Sequence, residues 1–382
     1  MLTPALEAEL VEFRRDLHAH PELSWQEQRT TGLVAERLSE AGVRVQLLPR
    51  SGLIAELGTG ERVVALRADL DALPVDDRTT DPWTSTVPAV AHACGHDVHT
   101  SAVLGAGLCL AERDSVEPLP GRVRLLFQPA EEMIPGGAPE LIAAGALEDV
   151  GYAFALHCDP ALDVGRVGLR SGAITGAADS VRVRVSGRGG HTSRPQLTED
   201  LTYALAKLVT DLPAALSRRL DPRSGASIVF GMIRAGSAPN VIPDVGEVAG
   251  TVRMLDPIAW AEAATLVPGL IEQLLAPYGV ESRIDYIRGV PPVVNDEAAT
   301  GLLGAAIEDA LGPAATTGTL QSLGGEDFAW YLNEVPGAMG RLGTRSPGGP
   351  TYDLHQGDLR IDEGAVAVGA RVLAATALRA LS

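Results

Sequence analysis

The chain has 382 residues, of which 46% are hydrophobic and 21% are charged, proportions that are ordinary for a globular protein. A formal net charge of -18 excludes a nucleic-acid partner, because phosphate backbones are bound through neutralising Lys and Arg side chains. The length suggests about two domains. No apolar run reaches the ~18 residues that a membrane span needs, so we expect no membrane partner.

The cysteines and the N-terminal segment indicate the compartment. Cys94, Cys109 and Cys158 are an odd number without the spacing of a disulfide framework. The N-terminal segment has acidic residues where a signal peptide has basic and then apolar ones, and it reads as an amphipathic helix that begins near Thr3. Both features favour a reducing compartment, and we expect the protein in the cytoplasm.

Short apolar strands alternate with helical patterns in the first half of the chain. The pattern predicts strands at 62–70, 122–129 and 152–159 and a helix over about 99–112. A long Ala/Val/Leu-rich helix is predicted over about 362–380. This alternation is typical of an α/β fold with a mostly parallel sheet covered by helices, in which active sites lie at the carboxyl ends of the strands.

Between about 177 and 288 the predicted elements change their order to strand, helix, strand, strand, helix, strand. This βαββαβ order is the ferredoxin-like arrangement and is complete in itself. We therefore predict two domains. One is a discontinuous catalytic domain of residues 1–176 and 289–382, and the other is an inserted domain of residues 177–288.

Three of the eight histidines fall in the stretch AHACGHDVHT, residues 91–100. If this segment is extended, His92, Cys94 and His96 lie two residues apart and point in the same direction. Thiolate and imidazole suit zinc and other first-row divalent metals. A structural zinc site commonly has a second Cys-x-x-Cys pair, which this sequence lacks. The alternative is a set of buried histidines beside an inert cysteine.

The segment FQPAEEM places Glu131 and Glu132 directly after the strand predicted at 122–129. Neighbouring side chains diverge, so one carboxylate can bind a metal while the other faces a water that needs a base. A solvated helix start is the usual role of such a pair. The position at a strand end is what favours the catalytic interpretation.

Three further histidines are singled out by position. His157 ends the strand predicted at 152–159, and His355 follows the Gly/Pro-rich run 343–353. For each, a hydrogen-bonded core histidine is the alternative. The glycine-rich run SGRGGHTS lacks the Lys-Ser/Thr ending of a phosphate loop, and we interpret it as a turn that presents His191.

Motifs along nearly the whole chain resemble those of the metal-dependent amidohydrolases related to aminoacylases and carboxypeptidase G. The branch of hippurate hydrolases, N-acyl-amino-acid amidohydrolases and indole-acetyl-amino-acid hydrolases is the most similar. The matching motifs, in the family's order, are RRDLHAHPELSWQE (14–27), LRADLDALPVDD (66–77), AHACGHDVHTSA (91–102), FQPAEEMIPGGA (127–138), ALHCDP (155–160), GRGGHTSRP (187–195), PNVIP (239–243), GTVR (250–253), GGEDFAWY (324–331) and LHQGD (354–358).

The resemblance implies a two-metal centre. Its ligands would be Cys94, His96, Glu132, His157 and His355. Glu131 would be the general base and acid. Asp71 would contact one of the ligands and fix its orientation without binding a metal itself. His92 and His99 would be supporting residues.

The same resemblance implies that the inserted domain mediates dimerisation. It would also supply His191, Asn240 and Arg253 toward a substrate carboxylate or the reacting carbonyl. A guanidinium can bind a carboxylate through two hydrogen bonds, and an imidazole can donate to a developing oxyanion. We therefore expect a homodimer.

The implied function is metal-dependent cleavage of the amide bond of small N-acyl amino acids, which gives a carboxylic acid and a free amino acid. Two divalent ions are expected, Zn or Mn first, with Co or Ni as alternatives. A dipeptidase or carboxypeptidase would use the same metals and base. A third hypothesis is a catalytically silent binding protein on the same fold. The intact Glu131 and the complete ligand set argue against it.

Two departures from the branch concern substrate recognition. Gln196 stands where the branch often has His, and Ala91 where it commonly has Met. Neither position is a predicted metal ligand. Because both positions bear on substrate recognition, the resemblance does not predict which acyl group is accepted.

Overall fold

The computed structural model describes residues 2–382. The chain divides into two compact units. Unit 1 comprises the residues up to Gly172 together with Val294–Leu320 and Asp327–Ser382, and unit 2 comprises Ala173–Val293 and Gln321–Glu326.

Strands and helices alternate along the described chain. The strands are β1 (Arg44–Leu47), β2 (Leu53–Gly58), β3 (Val63–Asp69), β4 (Arg122–Gln128), β5 (Val150–Asp163), β6 (Val167–Leu169), β7 (Gly172–Ala173), β8 (Ala177–Ser186), β9 (Gly190–His191), β10 (Ser227–Ala235), β11 (Val241–Ile242), β12 (Val245–Met254), β13 (Glu281–Val290), β14 (Val294–Asn295), β15 (Thr316–Gly318) and β16 (Gly337–Arg345). The α-helices are α1 (Pro4–Ala19), α2 (Gln28–Glu40), α3 (His96–Val116), α4 (Ala138–Ala143), α5 (Leu201–Leu216), α6 (Pro257–Leu275), α7 (Glu297–Leu311), α8 (Ala329–Leu332) and α9 (Gly364–Leu381).

Unit 1 is built on an eight-stranded sheet with the order β1-β2-β4-β3-β5-β16-β6-β15. The central pairs β4–β3, β3–β5 and β5–β16 are parallel, whereas β1 and β2 extend the sheet antiparallel. Strands β3 and β4 are almost continuous runs of buried residues, as in sheets covered on both faces. The predicted α/β class with a mostly parallel sheet is confirmed.

Helices α3 and α9 pack against each other and against this sheet. Helix α3 is buried from His96 through Leu110, and α9 contributes Val366 and Leu373 to the hydrophobic core. Helix α9 is also long and apolar enough to cross a membrane by length and composition alone, contrary to the expectation that no apolar run reaches that length. Half of it is buried inside the protein, as is usual for a core helix.

Unit 2 contains a four-stranded antiparallel sheet with the order β10-β12-β8-β13. Helices α5 and α6 pack on this sheet through buried side chains such as Leu205, Leu212 and Val267. The chain order β8-α5-β10-β12-α6-β13 is the βαββαβ arrangement. The predicted insert of residues 177–288 falls within this unit, and its proposed part in dimerisation stays a prediction.

Candidate metal centre

A turn at Gly95 sets the direction of two predicted ligands. Helix α3 begins at His96, so the extended conformation expected for residues 92–96 is wrong. Gly95 has a φ of 84°, and a Cβ at this position would lie 2.8 Å from Sγ of Cys158. Glycine adopts this conformation without steric cost and leaves room for the sulfur. The chain therefore turns sharply between Cys94 and His96.

The structure brings the five predicted ligands together from distant parts of unit 1. Cys94, His96 and His157 form one group whose potential ligand atoms lie within 4.8 Å of one another, and Cys94, Glu132 and His355 form a second. Sγ of Cys94 is 3.7 Å from Nε2 of His157. Oε1 of Glu132 is 3.2 Å from Nε2 of His355. The two groups share the cysteine.

The donor atoms fit a metal ion. Nε2 of His96 is buried and has no hydrogen-bond partner among residues 2–382. It lies 4.0 Å from Oε1 of Glu132, which is too far for a hydrogen bond, and that oxygen also has no hydrogen-bond partner among the same residues. A buried nitrogen without a partner destabilises the fold. A cation bound by each of these atoms would satisfy it.

Electrostatics in the two groups show which ligand nitrogen is free and which ligands must lose a proton before a metal binds. Burial holds the pKa of His157 well below its usual value, and its Nδ1 lies 2.9 Å from the carbonyl oxygen of Cys158, so Nε2 is the unprotonated nitrogen. Burial raises the pKa of the Cys94 thiol. Hydrogen bonds with Cys94 and Glu132 raise the pKa of His355 to about 10. Protons held at such sites are released when a metal binds.

Asp71 is buried and fixes the loop that carries the two glutamates. Its Oδ1 accepts the N–H of Glu131 at 3.1 Å, and its Oδ2 accepts the N–H of Glu132 at 3.0 Å and the hydroxyl of Ser24 at 2.7 Å. Its Oδ1 also lies 3.3 Å from Nδ1 of His96. Asp71 therefore contacts the ligand His96, as predicted, and also binds the backbone of the loop that carries Glu131 and Glu132.

Glu131 lies beside the candidate ligands. Its carboxylate falls within 4.8 Å of ligand atoms of His96 and Glu132. The loop that carries it follows β4 directly, at the strand end that the sequence indicated. His92 is in neither ligand group, and burial lowers its pKa to about 4.

Sequence reasoning missed an ion-pair network in the interior of unit 1. The guanidinium of Arg67 donates to Asp69 at 2.6 Å and to Asp327 at 2.6 Å, and all three side chains are buried. Oδ1 of Asp69 lies 2.6 Å from Nδ1 of His99, whose Nε2 accepts the N–H of Cys158 at 2.8 Å. His99 therefore carries its proton on Nδ1 and fastens the strand next to His157. The available signal was the pair of charged residues inside the apolar strand LRADL.

The three residues predicted to contact substrate lie in unit 2. His191 ends β9, which pairs with β11, and the carbonyl of Asn240 accepts the N–H of Thr192 at 3.2 Å. Arg253 lies on β12 and donates to the carbonyl of Leu323 at 3.0 Å. His191 and Asn240 are thus close to each other, whereas Arg253 belongs to the four-stranded sheet. Their roles toward substrate remain predictions.

Comparison with known proteins yields a family and two curated relatives. The profile described as Peptidase family M20/M25/M40 matches residues 65–379. A Rhodococcus jostii protein that carries the name of a glutamate–cysteine ligase is 51% identical over 97% of this chain, which spans only 46% of that longer protein. The N-acetyl-L-cysteine deacetylase of Bacillus subtilis is 36% identical, and the match covers 98% of this chain and 89% of the deacetylase.

A solved structure agrees with both units. A Bacillus subtilis protein described as a dinuclear metal-binding peptidase of the M20 family matches with a TM-score of 0.86 and 33% sequence identity. The match covers 99% of this chain and 98% of the other. The similarity therefore extends over the whole fold, including the segment predicted as an insert.

Proposed function

Because the chain belongs to peptidase family M20/M25/M40, we propose that it is a metal-dependent amidohydrolase that cleaves N-acyl amino acids to a carboxylic acid and a free amino acid. The observation that carries this proposal is the convergence of one thiol, three imidazoles and one carboxylate beside Glu131. The Bacillus subtilis deacetylase, which matches over most of both chains, is named for a reaction of the same kind.

The proposed cofactor is a pair of divalent metal ions. Cys94, which belongs to both ligand groups, would be common to the two sites, with His96 and His157 in one and Glu132 and His355 in the other. Zn and Mn are proposed first, with Co and Ni as alternatives, because a mixed sulfur, nitrogen and oxygen set accepts all four. When bound, such ions polarise a carbonyl and make a water molecule more acidic.

The residues of the chain supply the proton transfer. Glu131 takes a proton from the water that attacks the amide carbon and delivers it to the departing nitrogen. Asp71 keeps Glu131 in place, since it accepts the backbone N–H groups of both loop glutamates. His191, Asn240 and Arg253 are proposed to bind the substrate carboxylate or the oxyanion.

N-acetylcysteine is the first substrate to test, because the matched Bacillus subtilis deacetylase is named for it. Release of the amino acid would be measured for N-acetylcysteine, N-acetylserine, N-benzoylglycine and indole-acetylalanine, each with Zn, Mn, Co or Ni. N-acetylserine is the matched control, since it replaces only the sulfur by oxygen. Turnover of at least one acyl amino acid supports the amidohydrolase. Failure of all of them with every metal would overturn it.

A peptidase is the second candidate, because the matched Bacillus subtilis structure is described as one. A peptidase would accept a free amino group where the amidohydrolase accepts an acyl chain. Cysteinylglycine, glycylglycine and their N-acetyl forms separate the two functions. Faster hydrolysis of the free dipeptides would favour the peptidase.

We also propose the cytoplasm as the location and a homodimer as the working form. All three cysteines are buried and form no disulfide, which fits a reducing compartment. The substrate is the small-molecule partner. The dimer is proposed to form through the inserted segment.

A further inference from the structure

The residue that precedes Glu131 has an unusual backbone conformation. Ala130 has a φ of 54° and is completely buried. This left-handed region is sparsely populated by residues with a Cβ, and such residues persist only where their surroundings hold them. The direction in which Glu131 leaves the strand therefore depends on whatever holds Ala130.

A buried carboxylate provides that hold. Oε1 of Glu27 accepts the N–H of Ala130 at 2.8 Å and the N–H of Trp25 at 2.9 Å, while its Oε2 accepts the hydroxyl of Ser51 at 2.6 Å. Trp25 also has a positive φ, of 67°. One carboxylate thus restrains two residues in the left-handed region, and one of them adjoins the proposed base.

Glu27 is not required to cap its own helix. It occupies the N-cap position of α2, yet its side chain makes no capping hydrogen bond there. The first turn of α2 is capped instead by Glu22, whose carboxylate accepts the N–H groups of Arg29 at 2.9 Å and Thr30 at 2.7 Å. The two glutamates of the motif PELSWQE therefore have separate tasks. The carboxylate of Glu27 instead accepts a hydrogen bond from the loop that carries Glu131.

The backbone next to Ser51 supports the same loop. Gly52 has a φ of 86°, and a Cβ on it would lie 2.5 Å from Cδ of Pro129 and 2.8 Å from the carbonyl oxygen of Phe127. The N–H of Gly52 donates to Oγ1 of Thr31 at 2.8 Å. The turn that carries Ser51 is thus packed directly against the residues before Ala130.

We propose that Glu27, seated by Ser51, is a positioning residue that holds Ala130 in its left-handed conformation and thereby sets the orientation of Glu131. The proposal rests on the proposed function, in which Glu131 moves the proton. It assigns a task to the last residue of the motif RRDLHAHPELSWQE, which supplies none of the proposed metal ligands.

The kinetic test compares Glu27→Ala, Glu27→Gln and Glu22→Gln in the metal-loaded protein. Glu27→Ala is expected to lower kcat about a hundredfold with KM almost unchanged, since a small displacement of a reacting group costs about that much. Glu27→Gln keeps an acceptor oxygen for Ala130 and should restore most of kcat. Glu22→Gln, the matched control, should weaken α2 without changing kcat. Bound metal is measured in every variant.

Ser51→Ala provides a milder variant should Glu27→Ala not fold. It removes one hydrogen bond to the carboxylate and leaves the Ala130 contact in place. We expect kcat to fall on the order of tenfold, because one net hydrogen bond corresponds to roughly that factor. An unchanged kcat in Ser51→Ala, or in Glu27→Ala where that variant folds, would overturn the proposal.

Hydrogen exchange of the peptide that spans residues 129–134 gives a readout that does not depend on activity. The Ala130 amide should exchange faster in Glu27→Ala than in the wild type, and Glu27→Gln should stay protected. Equal protection in all variants would refute the hold on Ala130. If the wild type hydrolyses no substrate but the exchange difference appears, the proposed function fails while the hold on Ala130 stands.

Discussion

A single glycine controls where two candidate ligands lie. Gly95 has a positive φ and touches Cys158, so Gly95→Ala should impose backbone strain of about 1–2 kcal/mol and a steric clash of about 1–3 kcal/mol. We expect a lower midpoint of thermal unfolding and less bound metal. Gly32→Ala is the control, because Gly32 lies inside α2 with nothing near its Cβ position. That change should stabilise the protein by roughly 0.5–1 kcal/mol. A Gly95→Ala variant with normal metal content would contradict the argument.

The proposed base can be separated from the ligands beside it. Glu131→Gln keeps the shape of the side chain but cannot accept the proton. We expect kcat for the best acyl amino acid to fall about 10²–10⁴-fold while the metal content stays the same. Glu148→Gln makes the same change at an exposed position and should have no effect. Retained turnover in Glu131→Gln would remove it from the mechanism.

Elements were more predictable than the contacts between them. Strands β3 and β4 and helix α9 follow from apolar runs and lie within two residues of their predicted bounds. The start of α3 was missed by three residues, because Gly95 in a left-handed conformation allows the helix to begin at His96. Local pattern determines the elements, whereas this boundary depends on packing against Cys158.

The charged pair in LRADL was visible in the sequence, but the complete network of Arg67 could not be predicted from it, for a related reason. Its two carboxylate partners, Asp69 and Asp327, are separated by more than half of the chain. Glu27 and Ala130 are likewise distant in sequence, and no local periodicity relates them. Residue type marked the candidate ligands as possible metal binders, and the family resemblance selected among them, whereas an aspartate or glutamate that accepts a backbone N–H has no such mark.

Removal of the Arg67 guanidinium from this network should destabilise the protein more than the loss of a partly exposed ion pair does. Arg67→Met leaves the buried carboxylates of Asp69 and Asp327 without their counter-ion, so we expect a loss of about 3–5 kcal/mol. Arg345→Met breaks a partly exposed pair with Asp163 and should cost about 0–1 kcal/mol. Urea unfolding of both variants measures the difference. Similar midpoints of urea unfolding for Arg67→Met and Arg345→Met would show that the buried ion pairs of Arg67 contribute no more to stability than the partly exposed pair.

At the scale of the whole molecule, the sequence indicated an inserted βαββαβ segment but not which of its surfaces is available for assembly. The sheet of unit 2 ends in β10 on one side and β13 on the other. Strand β13 has four charged residues, including Arg283, which oppose pairing between edges, and one exposed apolar side chain, Ile287. Strand β10 has a single charged residue and exposes two apolar side chains, Val229 and Ile233, which are 64% and 54% accessible. This difference makes β10 the better candidate for a contact between two copies.

We therefore expect a homodimer that depends on β10. Ile233→Lys places a charge among the exposed apolar side chains of this strand and should shift the protein to monomers, because burial of an unpaired ammonium in an interface is strongly unfavourable. Val116→Lys introduces the same charge at an apolar position of unit 1 that is 84% exposed, and it should leave the dimer intact. Sedimentation velocity at micromolar concentration distinguishes the two states. A wild type that sediments as a monomer, or an Ile233→Lys variant that stays dimeric, would exclude β10 as the dimer contact.

Where activity requires His191 from the partner copy, loss of the dimer should also reduce kcat, whereas a purely structural dimer would leave kcat unchanged.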